Sequence, residues 1–225
     1  NLCNFQEIAE INPDNLTGEL GLFARQFANC DTYGSLIEVK TFDTEKLSAL
    51  IEDYEENLET LGYRDILEKM LVAYRIFVQK YDVCCTNPPY LGSSRFNSAL
   101  DEMIKKKYAD EKSDLSMAMF RNAVDNLTKN NGYTAFITTS SWFFLSSFEK
   151  HRQYILSHYQ ISTIVDFGTE LFDGKVGHNP IVSWVLQKTK PYSAFTAVRL
   201  VDYCYAKRDE KRLEFFNTRN YYTAK

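Results

Sequence analysis

The stretch that most constrains this chain is Tyr81-Asp82-Val83-Cys84-Cys85-Thr86-Asn87-Pro88-Pro89-Tyr90, an apolar run that stops at Asn-Pro-Pro-Tyr. It reads as a buried strand ended by a rigid turn. Paired prolines hold φ at about −65°, remove two N–H donors and bias Asn87 away from helical backbone. What remains is a set of carbonyl oxygens and one amide side chain, which suits a guest that donates hydrogen bonds.

The elements around this turn follow from spacing. Leu16, Leu20, Phe23 and Phe27 recur at helical intervals and predict a helix over 16–30, and Leu36–Val39 reads as a short strand. Asp43 caps a helix expected to run to Gly62, and a second follows from Tyr63 to Lys80. Together they form an antiparallel hairpin on or beside a sheet. Residues 91–113 read as a long polar loop, a possible lid, with one helical turn near 100–106. A capped helix then runs from Asp114 to Asn130, with an αL turn at Asn131-Gly132.

Strands are expected at 133–138 and 161–167, a helix at 148–159 between them, and an alternating edge or hairpin strand at 180–188 that begins at a proline. One more strand fits 195–205, followed by a charged tail over 206–216. Strand and helix alternating at these lengths predict an α/β fold, a parallel, doubly wound sheet.

Composition narrows the class. With 225 residues, 44% of them hydrophobic, the chain can bury one or two cores. The chain opens at Asn1 rather than Met, contains no charged-then-apolar leader and has no apolar run near 18 residues, so a cytoplasmic protein with no membrane contact, and an excised piece of a longer one, are expected. The five cysteines lack metal-ligand spacing, and Cys84-Cys85 read as buried thiols; no metal is expected. A net charge of −4 predicts a weak grip on nucleic acid, because neutralising phosphates takes a basic face. The acidic run Glu52–Glu56 reads as a solvated helix face.

Asn-Pro-Pro-Tyr after an apolar strand resembles the catalytic motif of S-adenosylmethionine-dependent amino methyltransferases, above all those acting on N6 of adenine in DNA. Tyr90-Leu91-Gly92, Lys112-Ser113-Asp114-Leu115, Asn131-Gly132-Tyr133 and Ser141–Lys150 extend the match. They resemble the phage-growth-limitation methyltransferases of bacteriophage-exclusion systems, across roughly residues 81–190. The resemblance implies a partial Rossmann-like methyltransferase sheet with the helical hairpin added.

It also implies a division of the chain. Residues 1–42 would end the cofactor-binding half, 43–80 form the hairpin, 81–190 the catalytic half, and 191–225 a transition toward a C-terminal target-recognition region. Asn87, Pro88, Pro89 and Tyr90 are the implied catalytic residues. Asn87 Oδ1 and the Pro88 carbonyl would accept both N6 hydrogens, favouring a pyramidal nitrogen with its lone pair toward the methyl group. Tyr90 would stack on the extruded base, and Phe172 would close its other side unless it is simply a core aromatic.

Asn4 and Phe5 are the pair that could meet the cofactor's adenine at a strand end, with Asn87 alongside, although an amide and a core Phe at a strand end need no ligand. Arg95 and Lys105, Lys106 and Lys107 are candidates for DNA phosphates, or a solvated loop. His178 reads as a turn histidine, and Gly177-His178-Asn179-Pro180 departs from the family pattern.

The larger departure is that residues 1–80 contain no glycine-rich cofactor loop. The chain alone is therefore expected to be inactive. The expected activity of the whole protein is site-specific DNA adenine-N6 methylation from S-adenosylmethionine, in phage defence or restriction-modification, with DNA and other phage-exclusion proteins as partners. A protein-glutamine or RNA methyltransferase, and a non-catalytic interaction module, remain the alternatives.

Overall fold

The computed structural model describes residues 4–169, 171–172, 179–203, 207–216 and 221–224. The chain divides into two units, Asn1–Lys80 and Tyr81–Lys225.

The first unit is helical among its described residues. It comprises α1 (Phe5–Ile8), α2 (Gly18–Arg25), α3 (Cys30–Tyr33), α4 (Thr44–Glu52) and α5 (Tyr63–Val78). Asp43 starts α4 as its sequence suggests, accepting from Glu45 N at 3.0 Å and Lys46 N at 3.1 Å. Leu20, Phe23, Phe27, Leu47, Leu67 and Tyr74 belong to one core. Phe23 meets Phe27, Phe42 and Tyr74 edge-on at 5.6, 5.9 and 5.5 Å.

Three expectations fail in this unit. The helix after Asp43 stops at Glu52 instead of Gly62, leaving Leu58 and Leu61 98% and 77% exposed. Asn57 takes the backbone elsewhere, its side chain accepting from Glu59 N at 2.8 Å and Thr60 N at 3.2 Å. The helix expected over 16–30 is shorter, Gly18–Arg25. Leu36 closes a 3-10 turn, Gly34–Leu36, and no strand follows, because the described residues of this unit offer none to pair with.

The second unit is built on strands β1 (Tyr81–Thr86), β2 (Thr128–Thr139), β3 (Gln160–Gly168), β4 (Ile181–Gln187), β5 (Phe195–Arg199) and β6 (Tyr221–Ala224), in the sheet order β1-β2-β4-β3-β5-β6. Its helices are α6 (Ser98–Lys107), α7 (Leu115–Asn122), α8 (Glu149–His158) and α9 (Arg208–Phe216). β1 and β2 are parallel, β4 is antiparallel to both β2 and β3, and β3 is parallel to β5. The sheet is thus an α/β sheet of the expected kind, but mixed.

The exchange of centre and edge is the main correction. β4, expected as an edge or hairpin strand, does pair antiparallel with the preceding strand β3, but it lies inside the sheet instead of at an edge, with Ile181, Val182, Trp184 and Leu186 all at 0% exposure. Trp184 stacks on Phe120 at 3.7 Å between ring centres and lies 4.3 Å from Trp142. β1, expected to be buried, ends the sheet among the described residues, with Val83 57% exposed. Cys85 is exposed and Cys84 half-buried, so only Cys30 among the described thiols is buried.

Two sites need small residues or unusual backbone. Gly132 lets β2 approach β1, since a Cβ there would lie 2.8 Å from Asp82 O. Gly168 has φ +64° and faces Val201 Cα, which a Cβ would meet at 2.9 Å. Asn131 has the expected αL backbone, with φ 64°, but inside β2: the helix expected to run to Asn130 ends at Asn122, a π-helical turn over Ala123–Leu127 follows, and the strand begins at Thr128. Residues 91–113 are not an open loop. They carry α6, whose Leu100, Met103 and Ile104 are buried, and the Tyr108 hydroxyl donates to Asn122 Oδ1 at 3.1 Å. The tail expected over 206–216 contains α9.

Candidate active site

Because β1, β2, β3 and β5 all run the same way, their carboxyl ends share one edge of the sheet. Open α/β sheets bind ligands at such edges. Asn87–Tyr90 follows β1 there, Ser140 follows β2, and Phe172 stands, half-buried, in the segment leaving β3.

The Asn-Pro-Pro-Tyr turn is presented outward. Asn87 and Pro89 are exposed, Tyr90 is half-buried and Pro88 is buried. The Tyr90 hydroxyl donates to Asn87 Oδ1 at 2.6 Å, with Ile137 O at 3.4 Å as a longer acceptor. An amide oxygen has two lone pairs, so this bond leaves Oδ1 room for one more donor.

The chain beyond Tyr90 is clamped. Leu115 N donates to Leu91 O at 2.9 Å, and Ser93 N to Ser113 O at 3.1 Å. Asp114 sits in this clamp and caps α7, accepting from Ser116 N at 2.8 Å and Ser116 Oγ at 2.7 Å. Burial pushes the Asp114 carboxyl above the usual range against those hydrogen bonds. Burial also raises the Tyr90 phenol, and the Asp114 charge adds to it. Asp114 is therefore near enough to act on Tyr90, a relation that neither its place in the Lys112–Leu115 match nor its reading as a helix cap reveals.

Behind the edge lies a polar strut that spacing did not reveal. His151 and Glu111, 0% and 2% exposed, meet at 2.8 Å through Nδ1 and Oε1. Arg121 reaches the same Glu111 oxygen at 3.2 Å, pairs with Asp125, and lies 3.2 Å over the Tyr154 ring. Forty residues separate His151 from Glu111, and no motif marks the pair.

The remaining candidates are used otherwise or lie apart. Asn4 caps α1, accepting from Gln6 N at 3.1 Å, and Phe5 is a helical residue stacked 6.1 Å from Phe77. The pair thus opens a helix instead of ending a described strand. Arg95 is exposed in the turn Ser93–Arg95. Lys105, Lys106 and Lys107 form the exposed last turn of α6, with Lys105 paired to Asp101 at 2.6 Å. Gly177 and His178 lie outside the described residues. No group of three or more metal-ligating side chains occurs among the described residues.

The turn offers oxygen acceptors to a guest that donates hydrogen bonds, and no glycine-rich loop that could cradle a nucleotide cofactor occurs among the described residues. The positive-φ glycines Gly18, Gly34, Gly62 and Gly168 each stand alone, outside any glycine-rich loop.

Known proteins place the chain. The family model for the Eco57I restriction-modification methylase matches residues 7–172. The adenine-specific methyltransferase BrxX of Escherichia coli O9:H4 (strain HS) is 34% identical over 190 residues, 78% of this chain and 15% of that protein. The adenine-specific methyltransferase PglX of Lacticaseibacillus casei (strain Zhang) is 30% identical over 212 residues, 89% of this chain and 17% of that protein. The chain thus spans about a sixth of the length of these curated relatives.

Among solved structures, the DrdV–DNA complex aligns with a TM-score of 0.53 at 19% identity, over 71% of this chain and 18% of that one. The Type ISP restriction-modification enzyme LlaBIII bound to DNA aligns with a TM-score of 0.51 at 14% identity, over 91% and 16%. These likenesses show the fold. With the Asn-Pro-Pro-Tyr turn at the carboxyl edge of a mixed α/β sheet and a family match that spans both units, this chain belongs to the Eco57I restriction-modification methylase family.

Proposed function

We propose that this chain carries the amine-activating part of a site-specific DNA adenine-N6 methyltransferase, working in phage defence or restriction-modification in the cytoplasm. Its partners would be DNA and other proteins of a phage-exclusion system. S-adenosylmethionine, as the methyl donor, supplies an electrophilic methyl group. The observation that carries this reading is the exposure of Asn87 at the strand's end, with the Tyr90 hydroxyl bonded to its amide oxygen.

The chain's own residues would act on the amine. Asn87 Oδ1 and the Pro88 carbonyl accept its two hydrogens, and the nitrogen lone pair turns away from the purine ring. Pro88 and Pro89 keep these acceptors in place without offering donors that would compete. Tyr90 stacks on the extruded base, with Phe172 as the opposing aromatic and Asn87 near the cofactor. Asn4 and Phe5 keep a cofactor role only if they leave their cap and stacking contacts.

The test is methyl transfer from labelled S-adenosylmethionine to duplex DNA by the full-length protein, compared with Asn87→Ala. Loss of transfer with an unchanged melting temperature supports the reading. Transfer only to protein or RNA would replace it with the alternative that the net charge of −4 favours. The chain by itself should show no heat of cofactor binding in calorimetry, and micromolar binding would locate a cofactor loop within it.

A further inference from the structure

We propose that the polar cleft between the turn after Tyr90 and helix α6 seats a backbone phosphate of the DNA strand carrying the target base. The inference rests on the methyltransferase reading above and says where that enzyme holds its substrate.

The cleft encloses about 460 Å³. Ser93, Ser94 and Ser98 line it from the turn and from the first turn of α6, Lys105 from the helix's last turn, and Lys112-Ser113 from the opposite wall. Four hydroxyls and two ammonium groups are the donors a phosphodiester takes, since its oxygens only accept. The walls are held together by the Ser93 N to Ser113 O bond of 3.1 Å, and α6 is anchored by buried Leu100, Met103 and Ile104.

Position supports the same occupant. Ser93 is three residues beyond Tyr90, at most about 10 Å along extended chain. DNA advances about 3.4 Å per phosphate on each strand, so the cleft is within roughly three phosphates of a base stacked on Tyr90. Asp114, next to Ser113, is near enough for its charge to act on the Tyr90 phenol. In a chain with a net charge of −4, such a local seat supplies attraction that the overall field does not. Among the basic candidates 95 and 105–107, Lys105 lines the cleft, and Lys112 joins it from outside that set.

Asp101 makes the inference sharp. Its carboxylate also lines the cleft and holds Lys105 at 2.6 Å. A phosphate there would be repelled by it, so its removal and removal of the lysines should act in opposite directions.

The experiment uses the full-length protein and a fluorescein-labelled mixed-sequence DNA duplex, titrated by anisotropy at several KCl concentrations. Lys105→Gln and Lys112→Gln should each weaken binding roughly 3- to 10-fold and reduce the log–log salt slope by about 1. Asp101→Asn should tighten binding about 2- to 5-fold. Lys129→Gln, at the far end of β2, controls for loss of one positive charge and should leave the slope unchanged. If wild-type protein binds and methylates DNA while the lysine variants match it in affinity and slope, the cleft is not the seat and the methyltransferase reading stands. If wild-type protein methylates only RNA or protein, both fall.

Discussion

β1 and β4 are short apolar strands of one sheet, and they have opposite fates. β4 is flanked by β2 and β3, with four side chains at 0% exposure and Trp184 stacked on Phe120. β1 pairs only with β2 among the described residues and leaves Val83 and Cys85 exposed. Yet β1 leads into the turn for which the chemistry is proposed. A strand's burial is decided by which strands flank it, whereas the turn at its end is shaped by its own prolines. Under the proposed function, stability and chemistry fall to different strands of one sheet.

The strongest test of that contrast is Trp184→Ala, which should cost about 3–5 kcal/mol in urea denaturation, against less than about 0.5 kcal/mol for the exposed Val83→Ala. Equal costs would mean that β1 is covered in solution. Next is Asn87→Ala, expected to lower methyl transfer to DNA by roughly 10²- to 10³-fold, the loss typical of one preorganised polar group, with no shift in the urea midpoint. A matching loss of stability would make the turn a structural element.

Tyr90→Ala should weaken base stacking by about 1–3 kcal/mol, while Tyr90→Phe keeps the ring and loses only the hydroxyl's bonds to Asn87 and Ile137 O. Quenching of a 2-aminopurine placed at the target position separates the two variants. Thiol labelling probes exposure directly. Cys85 should react in the native protein, and Cys30, buried and with its thiol pushed up to about 11, only after unfolding.

The smallest shift concerns Asp114. Its folded-state carboxyl lies above the unfolded value, so the protein loses stability as pH rises from below the unfolded value through the folded one. Asp114→Asn, which keeps the cap, should therefore match the parent near pH 3 and exceed it slightly at pH 7 in urea midpoint.

Much of the local structure was readable. Asp43 and Asp114 cap their helices, Asn131 takes the αL backbone though within a strand, and α5, α8 and β3 lie within a few residues of their expected bounds. The helix after Asp43 was overextended because Leu58 and Leu61 keep helical spacing, whereas Asn57 bonds the backbone in a turn. In the candidate site, Asn87 and Tyr90 were legible because proline chemistry is local. Asp114 was quoted in a motif but read only as a cap, since its nearness to Tyr90 arises from backbone pairing between segments more than twenty residues apart.

The residues alone determined a proline-stiffened turn rich in acceptors, capped helices and an α/β alternation, because φ restriction, capping bonds and side-chain periodicity act within a few positions. Only the tertiary structure decided that β4 is central and β1 lateral, that Glu111 meets His151, and that Lys105 and Lys112 face one cleft. Those outcomes depend on which distant segments exclude water from one another, and that free energy belongs to the assembled sheet and its helices, not to any one stretch of chain.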